Sequence, residues 1–263
     1  MSALLEASGM TVTYGGVHAN RDVDLEVGRA EFVGLIGSNG AGKTTFIDAI
    51  TGFTRVNAGA VRFDGEDITR LPPSERARRG LVRTFQSLEL FDDLTVRDNL
   101  LVACEHSRWW SLPIDVFRRK RAREVDERVS WALATVGLEH LADKLPEDLP
   151  HGQRKMVGVA RALAASPKLV LLDEPAAGLD AEESAELAKE LRGLLDLGVS
   201  VLLIDHDMGL VLSVCDRVYV LDFGKVVAQG TPAQIRNDET VIAAYLGDGG
   251  GPAEVPNGTE PVA

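Results

Sequence analysis

The sequence contains few cysteines, few aromatic residues and no long apolar segment. Two of its 263 residues are cysteines, Cys104 and Cys215, and 5% are aromatic. The cysteines lie far apart without the spacing of metal ligands, which favours buried thiols in a reducing compartment over a disulfide framework. No apolar run approaches the roughly 18–20 residues that a membrane-spanning helix needs. Residues 1–6 lack the basic segment that precedes the apolar part of a secretory signal. We therefore expect a soluble cytosolic protein, which another chain would have to hold at any membrane.

The sequence has fewer basic than acidic residues. The 28 lysines and arginines face 40 aspartates and glutamates, for a formal net charge of −12 and a sequence pI near 4.9. A surface that follows a phosphate backbone usually needs a basic face, so this balance disfavours a general nucleic-acid-binding protein. A hydrophobic content of 45% and a mean hydropathy of +0.00 are typical of a soluble globular protein. The length is enough for one large domain or two modest ones.

The apolar pattern predicts an α/β fold with a parallel core sheet. Residues 4–27 mix alternating apolar positions with turn signals, which is typical of antiparallel strands. Residues 31–36 form a short apolar run that ends in a glycine-rich loop, and residues 43–51 continue as a helix. Two near-continuous apolar runs, 169–172 and 201–204, indicate parallel strands that are covered on both faces.

The middle and the end of the chain follow other patterns. Residues 95–136 begin at a threonine suited to a helix N-cap, and their apolar spacing predicts helices that break near 111–113. Residues 118–123 are mostly basic, but acidic residues follow at once, so a solvated helix face accounts for them. Residues 218–228 predict a hairpin. Residues 247–263 are rich in glycine and proline, carry only acidic charges and are expected to be a disordered tail.

Residues 37–45, Gly-Ser-Asn-Gly-Ala-Gly-Lys-Thr-Thr, match the phosphate-loop pattern G-x-x-x-x-G-K-[ST]. Glycines let the backbone close round a phosphate, so that successive N–H groups and a helix N-terminus point at the anion. Lys43 adds a charge for the β- and γ-phosphates, and the Thr44 hydroxyl is suited to ligate Mg²⁺. The strand predicted before the loop and the helix predicted after it argue against a chance glycine-rich turn. The predicted nucleotide-binding residues are Ser38, Asn39, Gly40, Ala41, Gly42, Lys43, Thr44 and Thr45.

Two adjacent carboxylates, Asp173 and Glu174, end the apolar run 169–172. Neighbouring residues of a strand point to opposite sides, so the two side chains are free to take different roles. Asp173 is predicted to hold Mg²⁺, directly or through water, and Glu174 to orient and deprotonate the attacking water.

Five further segments give the sequence a resemblance to a known family. They are Tyr14, Arg83-Thr-Phe-Gln86, Leu149-Pro-His-Gly-Gln153, Ala177-Gly-Leu-Asp180 and Ile204-Asp-His206-Asp. Together with the phosphate loop and the paired carboxylates, and in this order, they resemble the motifs of the nucleotide-binding subunits of ATP-binding-cassette (ABC) transporters. The resemblance covers about residues 4–246. It implies a P-loop ATPase domain over residues 1–246, in which an antiparallel β-subdomain accompanies the parallel sheet and a helical subdomain is inserted at about 95–165.

The resemblance also implies a role for each motif residue within one subunit. Tyr14 occupies the position where the family stacks an aromatic ring on adenine. Gln86 matches the glutamine that contacts Mg²⁺ and water and couples to the membrane partner, and His206 matches the histidine that contacts the γ-phosphate. Asp180 lies in the loop that crosses to the opposite subunit. The implied catalytic residues are Glu174, His206 and Gln86, and the implied Mg²⁺ ligands are Thr44, Gln86 and Asp173.

Residues 149–153 depart from the family's signature motif L-S-G-G-Q at two positions. In the family this motif caps a helix and faces the γ-phosphate bound by the other subunit. Pro150 replaces the serine and lacks both its hydroxyl and its N–H, and His151 replaces a glycine with a titratable ring. The following helix, predicted over 154–165, still presents its dipole to an anion, so we expect ATP binding in trans without the serine contact. The residues implied to act in trans are His151, Gly152 and Gln153.

The altered signature, the segment 83–86 and the helical insert look like those of branched-chain amino-acid importers, and within them like the longer of the two ATPase subunits. Related systems for urea and short amides share much of this pattern. The resemblance implies ATP and Mg²⁺ as cofactors. It also implies two integral-membrane permease subunits, a second ABC ATPase subunit (a paralogue or a second copy), an indirect extracytoplasmic solute-binding partner and no nucleic acid. The chain would then lie at the cytoplasmic face of the cell membrane, held there by the permease subunits.

Other functions fit the sequence less well. Non-transport ABC ATPases, which act in DNA repair or on the ribosome, typically carry two cassettes in one chain or a long coiled coil, and this sequence has neither. A GTPase needs a guanine-reading N-K-x-D motif, which is absent. A small-molecule kinase would not need the segment 149–153 or His206. A binding module without chemistry is disfavoured because Lys43, Asp173 and Glu174 are all present.

Overall fold

The computed structural model describes residues 3–84, 90–104 and 115–246. The strands in these ranges are β1 Leu5–Tyr14, β2 Val17–Val27, β3 Phe32–Ile36, β4 Ala58–Phe63, β5 Glu66–Asp67, β6 Leu81–Arg83, β7 Leu169–Asp173, β8 Ser200–Ile204, β9 Arg217–Asp222 and β10 Lys225–Gly230. The α-helices are α1 Lys43–Thr51, α2 Pro73–Arg78, α3 Val96–Cys104, α4 Asp115–Thr135, α5 His151–Ala164, α6 Ala181–Gly193, α7 Met208–Val214, α8 Pro232–Arg236 and α9 Glu239–Leu246. Short 3-10 helices cover Glu139–Leu141 and Pro146–Asp148.

The core sheet has the strand order β10-β9-β3-β8-β7-β6. All neighbouring strands in it are parallel except β9 and β10. The strands β3, β7 and β8 are buried along their whole length, which confirms the parallel strands predicted from the runs 169–172 and 201–204. Alternate residues of β7 enter two hydrophobic clusters on opposite faces of the sheet. The cluster that takes Leu169 and Leu171 also contains the buried side of α1, so the next residue on that face, Asp173, lies on the α1 side.

The candidate residues collect at the carboxyl edge of this sheet. Residues 37–42 follow β3, Thr84 follows β6, Glu174 follows β7, and Asp205 and His206 follow β8. The carboxyl ends of parallel strands lie along one edge, where ligands of α/β proteins usually bind. The topology therefore brings together residues that are more than 150 positions apart in the sequence.

A second sheet, β2-β1-β4-β5, is antiparallel. It confirms the antiparallel strands predicted over residues 4–27. The hairpin predicted over 218–228 is also confirmed, because β9 and β10 pair antiparallel around the turn at Phe223 and Gly224. Both turn residues have positive φ, 42° and 76°, and the exposed tip of this hairpin reaches the loop after β3.

The helices α3, α4 and α5 pack against one another in the middle of the chain. Thr95 accepts a hydrogen bond from the backbone N–H of Asp98 at 3.1 Å, which confirms it as a helix N-cap. Val129, Ala132 and Val136 are buried in the cluster that also holds residues of α3 and α5. Their spacing of three and four residues thus predicted the buried face correctly.

The structure also bears on the predictions for the two cysteines and for membrane-spanning helices. Cys104 and Cys215 are buried, unpaired thiols, as predicted, and burial raises the pKa of both. No helix in the described ranges has the length and apolarity needed to cross a bilayer. The predicted helix break near 111–113 and the predicted tail 247–263 lie outside the residues that the structure describes.

Arg76 on α2 holds the end of α1 from inside the protein. It is 2% exposed, and its guanidinium donates hydrogen bonds of 2.7–2.9 Å to four backbone carbonyls. The acceptors are the carbonyls of Ala49, Ile50, Thr69 and Leu71. We expect Arg76→Met to lower the free energy of unfolding by on the order of 3 kcal/mol, because four backbone carbonyls lose the hydrogen bond from the guanidinium.

Urea denaturation followed by circular dichroism measures this effect. Arg79→Met is the matched control, since Arg79 is a partly exposed neighbour whose ion pairs with Glu66 and Glu75 lie at the surface and contribute little. Equal unfolding midpoints for the two variants would contradict the role assigned to Arg76.

Candidate active site

The loop between β3 and α1 has the geometry of a phosphate loop. Gly40 and Gly42 adopt left-handed conformations with φ of 83° and 102°, which glycine accepts without strain. A Cβ at Gly37 would lie 2.3 Å from the carbonyl oxygen of Leu221, so only glycine fits there. The turn places the predicted residues together at the N-terminus of α1, with Asn39, Gly40 and Thr44 exposed. The others are Ser38, Ala41, Gly42, Lys43 and Thr45.

Two hydrogen bonds from distant segments hold the backbone of this loop, and sequence reasoning missed both of them. The N–H of Gly224, in the β9–β10 turn, donates to the Ala41 carbonyl at 2.9 Å. The Asn20 side chain donates to the Gly42 carbonyl at 3.2 Å, and Asn20 is fully buried. The one local signal was Gly224, which sits in a tight turn whose left-handed conformation favours glycine. Both contacts link segments that are distant in sequence, so the loop is anchored by strands from two sheets.

The Lys43 side chain folds back onto the loop that precedes it. Its Nζ donates to the carbonyls of Gly37 at 2.6 Å and Ser38 at 3.0 Å, and the residue is only 8% exposed. Burial lowers the pKa of Lys43, and nearby carboxylates oppose that shift. These carboxylates are Glu174, Asp173 and Asp205. An ammonium group has three donors, so Lys43 can keep both loop contacts and still donate to a phosphate oxygen.

The two carboxylates at the end of β7 lie in different environments. The Asp173 side chain is 8% exposed, and its Oδ2 lies 2.8 Å from Nη2 of Arg83. Glu174 has φ of 49°, a region that is strained for a residue with a Cβ and that clusters at functional sites. Its N–H donates to the Ile204 carbonyl at 2.7 Å, and its side chain is 21% exposed. This contrast supports the separate roles predicted for Asp173 and Glu174.

His206 lies beside Glu174 at the end of β8. Its Nδ1 is 3.8 Å from Glu174 Oε1 and 3.5 Å from Asp205 Oδ1, and its side chain is 60% exposed. Asp205 is buried, and its Oδ1 accepts the backbone N–H groups of His206 at 2.8 Å and Asp207 at 3.0 Å. Asp205, which sequence reasoning did not single out, thus fixes the turn that presents the imidazole next to the predicted base.

The signature segment opens α5 earlier than predicted. The helix was expected over 154–165, but it begins at His151. The predicted start was wrong because Pro150 serves as the N-cap, with φ of −53° and ψ of 155°, and accepts the Arg154 N–H at 3.0 Å. The first turn of a helix leaves its N–H groups without intrahelical acceptors. His151, Gly152 and Gln153 therefore lie at the positive end of the helix dipole itself.

The signature segment also touches the loop that follows β7. A Cβ on Gly178 would lie 3.5 Å from Nε2 of His151, and Lys155 Nζ donates to the Ala177 carbonyl. The start of α5 and the loop before α6 are therefore packed against each other within one chain. The proposed contact of His151 with a second subunit stays a prediction.

Asp180 has a structural role within its own chain. Its carboxylate accepts the N–H groups of Glu182 and Glu183, both at 2.9 Å, and its own N–H donates to the Glu183 side chain at 3.1 Å. This is a capping box at the start of α6. Sequence reasoning missed the cap, although the spacing Asp180-x-x-Glu183 signals it. The crossing to an opposite subunit stays a prediction.

Tyr14 ends β1 and is 52% exposed. Its hydroxyl hydrogen-bonds with Thr54 Oγ1 at 3.0 Å, and the Thr54 N–H donates to the carbonyl of Asp48 on α1 at 3.0 Å. The ring is thus tethered to the phosphate-loop helix while part of it faces solvent. This placement suits the predicted stacking on adenine.

The residues present fit a magnesium ion that is bound together with a nucleotide. Thr44 is exposed in the first turn of α1. Asp173 is the last residue of β7, on the face of the sheet that α1 covers. Hydroxyl and carboxylate oxygens are the donors that Mg²⁺ prefers, and it usually takes one or two from the protein and the rest from phosphates and water. Among the described residues no group of three or more His, Cys, Asp or Glu side chains is arranged to hold a metal. Gln86, the third predicted ligand, lies outside the described residues.

Comparison with protein families gives two matches. Residues 20–177 match a family described as "ABC transporter", and residues 225–255 match a family described as "Branched-chain amino acid ATP-binding cassette transporter". The first match spans the phosphate loop, the signature segment and the paired carboxylates.

Curated proteins and a solved structure resemble the chain over nearly its whole length. BraF of Pseudomonas aeruginosa, a high-affinity branched-chain amino acid transport ATP-binding protein, is 40% identical over 93% of this chain and 98% of its own. LptB of Haemophilus influenzae, a lipopolysaccharide export system ATP-binding protein, is 38% identical over 94% of this chain and 98% of its own. The ADP conformation of an ATP-binding cassette of an ABC transporter superposes with a TM-score of 0.83 and is 29% identical, covering 94% of this chain and 100% of that one.

Proposed function

Because the chain belongs to the ABC transporter family, we propose that it is the ATP-hydrolysing subunit of an importer of branched-chain amino acids. The observation that carries the choice of cargo is the match of residues 225–255 to the branched-chain amino acid cassette family. The similarity to BraF over 93% of the chain supports it. The similarity to LptB favours a second candidate, the ATPase of a lipopolysaccharide export system. Importers of urea or short amides are the third alternative, on the sequence pattern alone.

The hydrolysis is assigned to the carboxyl edge of the core sheet. Amides of the phosphate loop and Lys43 hold the β- and γ-phosphates of ATP. Glu174 accepts a proton from a water molecule as that water attacks the γ-phosphorus, and the bond to the ADP oxygen breaks. His206, 3.8 Å from Glu174, donates to the γ-phosphate. A bound Mg²⁺, held by Thr44 and Asp173, would neutralise charge on the phosphates.

One chain supplies half of each catalytic site in this proposal. The N-terminal turn of α5, with His151, Gly152 and Gln153, closes over the γ-phosphate that a second ATPase subunit binds. ATP then stabilises the closed pair because it contacts both subunits, and hydrolysis removes that bridge. Two integral-membrane permease subunits receive this motion and hold the chain at the membrane.

Isolation from gently solubilised host membranes tests the proposal. We expect the tagged chain to bring with it two hydrophobic permease subunits and a second, shorter cassette ATPase. The solute-binding protein of that system is then expected to bind leucine, isoleucine or valine, measured by calorimetry, and not urea. An untagged strain provides the control for non-specific capture.

The other outcomes separate the alternatives. Permease subunits of a lipopolysaccharide export system would favour the second candidate. A solute-binding partner that prefers urea or a short amide would favour the third. Recovery with ribosomes or DNA would contradict every transport assignment.

A further inference from the structure

Arg83 ends β6, which pairs with β7 on the edge away from β8 and β3, and it has no role of its own among the motif residues. We propose that Arg83 is a positioning residue that sets the orientation of Asp173 for the divalent cation of the nucleotide. The inference rests on the proposed function, since it assigns Asp173 to that cation. It concerns the affinity for the cation and leaves the contacts to the nucleotide itself to the phosphate loop.

The Arg83 guanidinium bridges two carboxylates from different elements. Nη2 lies 2.8 Å from Asp173 Oδ2 at the end of β7, and Nη1 lies 2.5 Å from Asp48 Oδ1 on α1. The side chains of Arg83 and Asp173 are each 8% exposed, and that of Asp48 is 30% exposed. A pair this buried is screened little by solvent, and a planar guanidinium holds its partners in a fixed geometry.

The bridge ties the cation-binding carboxylate to the helix that binds the phosphates. Asp48 is on the same helix as Lys43, five residues further along. The charge of Asp173 in turn acts on Lys43. Arg83 therefore fixes Asp173 relative to α1, because the same guanidinium also holds Asp48 of that helix. A carboxylate held through one oxygen presents its other oxygen in a set direction.

The backbone explains why Arg83 arrives at this position. It is the last residue of β6 and pairs with Leu171 of β7 in parallel register. The next residue, Thr84, donates its N–H to the Leu171 carbonyl at 2.9 Å, and its Oγ1 accepts the N–H of Asp173 at 3.4 Å. The end of β6 is thus hydrogen-bonded to the end of β7, and the long side chain of Arg83 reaches the Asp173 carboxylate.

Two effects of Arg83 on a bound cation oppose each other. Its positive charge repels a second cation at the same carboxylate, so repulsion alone predicts tighter metal binding when the charge is removed. Partners that orient a metal ligand act the other way, and their loss typically weakens metal affinity about 10- to 100-fold. Orientation dominates in this proposal, because Asp48, which is not assigned to the cation, also balances the Arg83 charge.

The test measures binding of Mn²⁺, a spectroscopic substitute for Mg²⁺, to the full-length protein with ADP. Free Mn²⁺ is followed by electron paramagnetic resonance, and ADP affinity is measured separately in EDTA. We expect Arg83→Met to weaken Mn²⁺ binding about 10- to 100-fold with ADP affinity in EDTA unchanged. Arg83→Lys, which keeps the charge but not the two-pronged fork, is expected to weaken Mn²⁺ binding less. Arg79→Met, at the surface on α2's C-terminal side, is the control and should change neither.

Each result bears on the proposal. Mn²⁺ affinity that is equal or tighter in Arg83→Met, with a lowered melting temperature, would overturn it and leave Arg83 a structural tie. If Arg83→Met fails to fold, Arg83→Lys decides, since wild-type Mn²⁺ affinity in that variant would also overturn it. Wild-type protein that binds no ADP at all would instead remove the proposed function, and the inference with it.

Discussion

Glu174→Gln is expected to lower the rate of ATP hydrolysis by about 10²- to 10⁴-fold, the range that a positioned general base contributes. Glutamine has nearly the shape of glutamate but does not accept the proton of the attacking water. ATP affinity is expected to stay close to wild type, because the phosphate loop and Lys43 are unchanged. The measurement is the release of inorganic phosphate in steady state, paired with a titration of a fluorescent ATP analogue.

The backbone conformation of Glu174 supports its assignment as the base. Its φ of 49° turns the chain directly after β7 and leaves the carboxylate 3.8 Å from His206. Glu190→Gln on α6 is the matched control, since it neutralises a half-buried carboxylate outside the assigned machinery and should keep the wild-type rate. Hydrolysis at the wild-type rate in Glu174→Gln would show that another group takes the proton.

The parts of the molecule that sequence predicts correctly are governed by local rules. Burial on both faces makes β7 and β8 continuous apolar runs. The phosphate loop needs glycines at fixed positions, because a Cβ at Gly37 collides with the Leu221 carbonyl. The capping threonine Thr95 likewise acts on a residue only three positions away. Each of these requirements restricts the residue types within a few positions of where it acts, so the sequence pattern reveals it.

The parts that sequence analysis missed depend on contacts between distant segments. Arg83 meets Asp173 across 90 residues, and Asn20 meets Gly42 across 22. No periodicity records which strand ends will share an edge, so such partners emerge only once the sheet order is known. The start of α5 was misplaced for a different reason. Pro150 has a non-helical backbone and caps the helix by its backbone alone, and Gly152 in the first turn hides the helix start from propensity rules.

Lys43→Ala is expected to weaken ATP binding about 10- to 100-fold, because a hydrogen bond to a charged group contributes about 1.5–3 kcal/mol. Lys43 is held in the loop by the carbonyls of Gly37 and Ser38, so its ammonium is fixed where the β- and γ-phosphates are expected. The measurement is the dissociation constant of a fluorescent ATP analogue. Lys168→Ala is the matched control, since Lys168 pairs with Asp64 at the surface and should leave the dissociation constant unchanged.

Loss of Lys43 also alters the balance of charge within the free protein. Burial alone disfavours the ammonium and lowers the pKa of Lys43, while Glu174, Asp173 and Asp205 favour the charged form. Lys43→Ala removes the desolvation cost but leaves three carboxylates without this counter-charge, so the two effects on stability have opposite signs. A melting curve therefore accompanies the titration. Weaker ATP binding with a wild-type melting temperature assigns the effect to the lost phosphate contact, whereas unchanged affinity in a folded variant would refute the phosphate-loop assignment.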